Sequence, residues 1–184
     1  EIAYAHEQVV GALVRWLAAG RNIQVHLNWR SARRGHGKVV SEFDKFLADL
    51  KRQGGASPDI VIVATDANCK GLNDRTKEFQ VADSPAPVIL AIPDPHIERW
   101  LLLDGAAFKT VFGRGCHAPD QKCNRNRYKE RLIGAIRDAG IVPSLGGIEF
   151  AEDIVAEIDI DRASRSDPSF KRFVNQLAGV LQGW

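Results

Sequence analysis

The chain has 184 residues, 45% hydrophobic and 26% charged, with a formal net charge of +2. That is about one domain, able to bury on the order of two-thirds of its unfolded surface, and no apolar run approaches the roughly 20 residues of a membrane span. Composition therefore excludes a membrane-spanning or disordered chain, and so small a charge excludes nucleic-acid binding by net charge alone.

From Glu1 the first pattern is a helical stripe. Val9, Val10, Leu13, Val14, Trp16 and Leu17 follow helical spacing and Gly20 stops it, which predicts a helix over 5–19. In "NIQVHLNW", Ile23, Val25, Leu27 and Trp29 alternate with Asn22, Gln24, His26 and Asn28, the pattern of a strand with one polar face. The loop "SARRGHG" leads to a second stripe through Val39, Val40, Phe43, Phe46, Leu47 and Leu50. "RRGHGK" lacks the spacing of a nucleotide-phosphate loop and follows a polar-faced strand, so it is rejected as one. "DIVIVAT" and "PVILAIP" are continuous and β-branched, as strands covered on both faces are. The polar stretch between them, with a helical piece over 74–79, implies a parallel pair with a right-handed crossover. After "IPDP" a short helix carries Ile97, Trp100, Leu101 and Phe108, its large side chains read as core rather than as a base-stacking platform. The remainder is helical: 127–139, 147–158, a turn near 161–164, and 169–181, where Asp167 and Pro168 supply a cap and a first turn.

No Met occurs, so residues are expected before Glu1, and nothing at this end resembles a signal peptide. Three cysteines, an odd number, point to unpaired thiols in a reducing compartment, hence the cytoplasm. Cys116, His117 and Cys123, with Cys69, could hold zinc, but their spacing fits no common zinc module. Charge is uneven. No acid stands between Gln8 and Ser41, a stretch holding Arg15, Arg21, Arg30, Arg33, Arg34 and Lys38, and a second basic stretch from Lys109 to Lys129 contains one acid, Asp120. This permits one phosphate-attracting face, with Lys70 beside it, the alternative being solvated surface without a partner.

The chemistry-bearing residues stand at the strand ends. Asp66 and Asn68 follow the first apolar strand on the same side of an extended chain, Asp94 follows the second, and Glu98 comes one helical turn later. In an open α/β sheet ligands bind at this edge. Carboxylates crowded there repel one another unless a cation such as Mg²⁺ compensates them. The alternative is that Asp66 and Asp94 cap turns or helix starts.

The succession of strand, "ATDANCKG", strand, "AIPDPHIERWLLLD" and the tail "IVAEIDIDRASRSDPSFKRFVNQL" resembles the TOPRIM-fold proteins of bacterial defence islands. It is especially similar to small TOPRIM-like proteins encoded beside SMC-like or ABC-type ATPases, distant relatives of the overcoming-lysogenization-defect nucleases. The resemblance covers nearly the whole chain and is most specific over His96–Asp104 and in "SDPSFKRFV". It implies an α/β, Rossmann-like TOPRIM fold. A mainly parallel sheet of about four strands would be flanked by helices, with a core over 1–104 whose first strand lies before Glu1. A helical extension over 105–184 would pack on the same domain. It also implies Mg²⁺ or Mn²⁺ at Glu1, Asp66, Asn68, Asp94 and Glu98, with Glu7 the alternative early acid. Asn68 replaces the second acid of the family's D-x-D. His96 would act as general acid or base, and Arg30, Arg33, Arg34, Lys38 and Lys70 would grip the phosphates of nucleic acid, DNA above all. The implied activity is metal-assisted phosphodiester hydrolysis in anti-phage defence, with an ATPase partner and in a homo- or hetero-oligomer; a silent TOPRIM adaptor binding that ATPase or nucleic acid is the alternative.

Overall fold

Two short parallel strands, β1 (Val61–Ala64) and β2 (Val88–Ala91), divide the apolar side chains into two layers. The computed structural model describes residues 2–32, 36–53, 57–79, 81–82, 84–117, 120–124 and 126–184. Over these residues the protein is α/β with mostly helical content. The helices are α1 (Ile2–Ala19), α2 (His36–Gln53), α3 (Leu72–Thr76), α4 (Glu98–Leu101), α5 (Gly105–Phe112), α6 (Arg127–Asp138), α7 (Ala151–Glu157), α8 (Ile160–Ser166) and α9 (Pro168–Leu181).

The strands are in register, Val61 opposite Val88 and Ala64 opposite Ala91. Alternation along them assigns the layers. Val61, Val63, Leu90 and Ile92 join Phe43 and Leu47 of α2 on one face. Ile89 and Ala91, with the partly buried Ile60, Ile62 and Ala64, meet α1, α4, α5, α7 and α9 on the other. On that second face Trp100 is 1% exposed and stacks on Phe173 with centroids 5.4 Å apart, so it belongs to the core as expected.

Two expectations need correction. Of about four strands, two pair among the described residues, because residues 23–29 join no hydrogen-bonded ladder. Their alternation is real, since Ile23, Val25 and Leu27 pack on the core, but a strand needs a neighbour for its backbone groups as well as an apolar face. The single helix expected after "IPDP" is two. The first stops at Leu101, and Asp104 caps α5, its carboxylate accepting the Ala106 N–H at 3.0 Å. Gly105 permits this corner, for a Cβ there would lie 2.2 Å from the Cys116 carbonyl oxygen.

α9 is stapled to the end of β2. Asp167 caps it by accepting the Phe170 N–H at 2.8 Å, with Pro168 in the first turn as expected. The Ser169 hydroxyl donates to Asp167 and accepts both the Asp94 N–H (3.1 Å) and the Trp100 indole N–H (3.0 Å). Arg99 pairs with Asp167, both side chains 5% exposed or less. These contacts fix the turn that carries His96.

Candidate functional site

Beyond Ala64 the chain stays bonded to the neighbouring strand's path, the Thr65 and Ala67 N–H groups donating to Ala91 and Pro93. Asp66, between them, therefore presents its side chain at the carboxyl rim of the sheet. The carboxylate is 12% exposed and meets three donors. Nε2 of His6, from the first turns of α1, lies 3.1 Å from Oδ1. Nδ1 of His96 lies 3.3 Å from Oδ2. The Ile97 N–H, at the start of α4, donates to Oδ1 at 3.0 Å.

The electrostatics follow. Burial alone would raise the Asp66 pKa, but the hydrogen bonds and charges of His6 and His96 outweigh it and hold the group at about 2. The bond to Asp66 raises the His96 pKa against the opposing effect of burial. Glu98 is pushed up by burial, with the Asp66 charge adding to the shift. Nε2 of His96 is buried and has no hydrogen-bond partner among the described residues. Its ring lies 6.1 Å from that of Tyr128.

Of the expected residues, Asp66, His96 and Glu98 come together, and the rest do not join them. Asp94 accepts the Leu72 N–H at 3.2 Å and so closes the start of α3, the capping duty Asp often takes. Asn68 is exposed and left-handed, φ 52°, and its amide donates to the Asp66 backbone carbonyl at 3.3 Å. The chain turns out of the extended conformation after Asp66, which undoes the same-side placement expected for the pair. Glu7 follows His6 on α1, and a one-residue step rotates a side chain by about 100°, so the helix that aims His6 at Asp66 aims Glu7 elsewhere. Arg30 stacks over the Phe46 ring at 4.6 Å, Lys38 is exposed on α2, and Lys70 pairs with Glu78. Glu1, Arg33 and Arg34 lie outside the described residues.

The oxygen donors expected for Mg²⁺ or Mn²⁺ thus do not converge. Asp66 is taken up by two imidazoles and an amide, Asp94 and Asn68 serve turns, and among the described residues no three His, Cys, Asp or Glu side chains are arranged so that they could hold a metal ion. An open cleft of about 440 Å³ lies alongside, lined by Lys70, Asn73, Asp94, Gln121 and Ser169, and it does not reach Asp66, His96 or Glu98.

His6 was missed. Its signal was a histidine at a buried position of the first apolar stripe, in line with Val9, Val10 and Leu13, where a polar group requires a partner. The expected unpaired thiols are also corrected. Cys69, on the turn after Asp66, and Cys123, ahead of α6, form a disulfide across 54 positions, a juxtaposition made by the fold and invisible in spacing. The zinc set dissolves with it. Cys116 stays free, and burial pushes its thiol up to about 11.

A family model described as a domain of unknown function, DUF4276, matches residues 4–178, and the chain belongs to that family. No curated protein and no solved structure matches it.

Proposed function

We propose that this DUF4276 chain hydrolyses nucleic-acid phosphodiesters, DNA being the favoured substrate, at the Asp66–His96–Glu98 rim of a Rossmann-like TOPRIM fold. The observation that carries the reading is a divergence. Asp66 is held at about 2 while Glu98 is raised, with an imidazole of raised pKa coupled to both. Carboxyls whose surroundings push them apart divide acid and base roles. His96, whose imidazolium form the Asp66 carboxylate favours, donates its Nε2 proton to the leaving oxygen as the P–O bond breaks. Glu98, as carboxylate, takes a proton from the water whose oxygen bonds to phosphorus, and solvent returns that proton to His96. Lys70 and the exposed Arg30 and Lys38 supply salt-sensitive phosphate contacts. No step runs through Mg²⁺ or Mn²⁺, because their expected donors do not converge among the described residues. The setting is prokaryotic defence in the cytoplasm beside an SMC-like or ABC-type ATPase. Among the described residues no helix is long and apolar enough to cross a membrane.

The second reading, a silent adaptor for that ATPase or for nucleic acid, is favoured by a separate observation: Asp66 and Asp94 each accept a backbone N–H at a helix start, a duty an inert chain would keep. Plasmid cleavage in Mg²⁺, in Mn²⁺ and in EDTA, with and without the ATPase, separates the two. His96→Gln and Glu98→Gln are each expected to lower the rate by about 10²–10⁴. Cleavage indifferent to both substitutions contradicts the mechanism, and no cleavage under any condition leaves the adaptor.

A further inference from the structure

The disulfide reaches the His96 site from a separate part of the chain, and the proton chemistry makes no use of it. Cys69 stands on the turn after Asp66, whose Ala67 and Asn68 N–H groups donate to the Pro93 and Pro95 carbonyls at 2.8 and 3.0 Å. That turn is therefore bonded to the residues directly before His96. Cys123, its disulfide partner, belongs to the segment 120–124. Tyr128 provides the other hold on this segment. Its hydroxyl accepts the Lys122 N–H at 2.7 Å and lies 2.8 Å from the carbonyl oxygens of both Asp120 and Lys122, to one of which it donates. The Tyr128 ring is fully buried and stands 6.1 Å from the His96 ring. The imidazole thus has the Asp66 turn against Nδ1 and Tyr128 beside its ring, and the segment bridges these two neighbours. Nε2 is buried within this enclosure.

We propose that the Cys69–Cys123 disulfide is a redox latch on His96: oxidised, it holds segment 120–124 closed against the imidazole, and reduced, it frees the segment at its Cys123 end. Exposure marks the bond as one that exchanges. Both cysteines are exposed, so a reductant's thiolate reaches them without unfolding the core. Cys116 is the contrast. It is half-buried and its thiol is pushed up to about 11, which leaves almost no thiolate at neutral pH to intrude on the exchange. A dithiol supplies two electrons and two protons. Its first thiolate attacks one sulfur as the S–S bond breaks, its second resolves the mixed disulfide, and it departs as its own disulfide while Cys69 and Cys123 become thiols. The movement is local, because Tyr128 and the Arg127 pair with the Asp120 carboxylate still anchor the other end of the segment. The consequence for hydrolysis, a site shut by oxidation and open in reducing surroundings, rests on the proposed function; the latch itself does not.

The test is carbethoxylation of histidine by diethyl pyrocarbonate at one pH, read residue by residue by peptide mass spectrometry. It is run on the chain oxidised with oxidised glutathione, on the chain reduced with dithiothreitol, and on the double variant Cys69→Ser, Cys123→Ser. The His96 rate is expected to rise about 10-fold or more on reduction, the signature of local opening, and to be as high in the double variant with or without reductant. His6, buried in α1 against Asp66, reports on the fold, and its rate should stay low throughout. A His96 rate indifferent to reductant overturns the latch. So does a rise shared equally by His6, since the bond would then staple the whole fold rather than close one site. A bond that does not form in oxidised glutathione, or does not yield to dithiothreitol until the chain unfolds, overturns it as well. Because the probe is a histidine reagent, a chain that cleaves no nucleic acid still shows the latch if it is there, and plasmid cleavage alone does not establish it.

Discussion

Asp66 and Asp167 are both packed against the stretch from Asp94 to Arg99, both accept a backbone N–H at a helix start, and both face basic side chains. Asp167 faces Arg99, which does not release its proton, and adds a bond from Ser169 and the cap of α9. Asp66 faces His6 and His96, whose type releases a proton near neutral pH. The first arrangement holds the start of α9, and the second contains imidazoles that can exchange protons near neutral pH. Two equally polar neighbourhoods thus part into structure and chemistry by the basicity of the partner.

The largest expected effect lies on the structural side. Asp167→Ala leaves the buried Arg99 guanidinium without the Asp167 carboxylate and removes the cap, so urea unfolding should show a loss of about 3–5 kcal/mol. A loss smaller than that of Asp66→Asn would break the contrast. Next comes the bridge that ties the Asp66 turn to the segment before α6. Cys123→Ser, or reductant on the natural chain, should lower stability by about 2–4 kcal/mol, and a melt insensitive to reductant would rule out the bond in solution. Since such a bond persists in oxidising surroundings, the same melt bears on a cytoplasmic site of action.

Asp66→Asn should cost about 2 kcal/mol at neutral pH, read from a pKa of about 2 against 3.8. The sign carries a pH signature. The depressed pKa of Asp66 gives stability that is present above the unfolded value and lost as pH falls toward 2, so the gap between natural chain and variant should close in acid. The raised pKa of His96 gives stability that is present below about 6.5 and lost as pH rises through its folded value. Denaturant midpoints of the natural chain should therefore decline on the alkaline side of that range, and those of Asp66→Asn should not follow. Parallel curves would mean that the two groups are uncoupled.

Periodicity made most of the fold legible. The stripes of α1 and α2, the runs of β1 and β2 and the Asp167–Pro168 start of α9 are local patterns that tertiary packing had only to accept. Where it failed, a second partner decided. Residues 23–29 have the alternation of a strand without a ladder, Cys69 and Cys123 meet across 54 positions, and Asp104 caps a second helix where its apolar neighbours suggest a single one. At the site, Asp66 and Glu98 could be named because rim acids are exceptional after apolar strands, and His96 through the family resemblance. His6 could not, because its role depends on which strand end α1 crosses. Asp94 had the same local signature as Asp66 and turned out to cap α3, since its carboxylate meets the Leu72 N–H before it can meet Asp66.

The central claim is that the Asp66 carboxylate raises the His96 pKa and so favours its protonated form. Following the His96 ring resonances by NMR across pH 4–9 in the natural chain and in Asp66→Asn tests it most directly. His96 should titrate above the ordinary histidine value of 6.5 in the natural chain and fall back when the carboxylate is replaced. An ordinary midpoint, unchanged by the substitution, would contradict it.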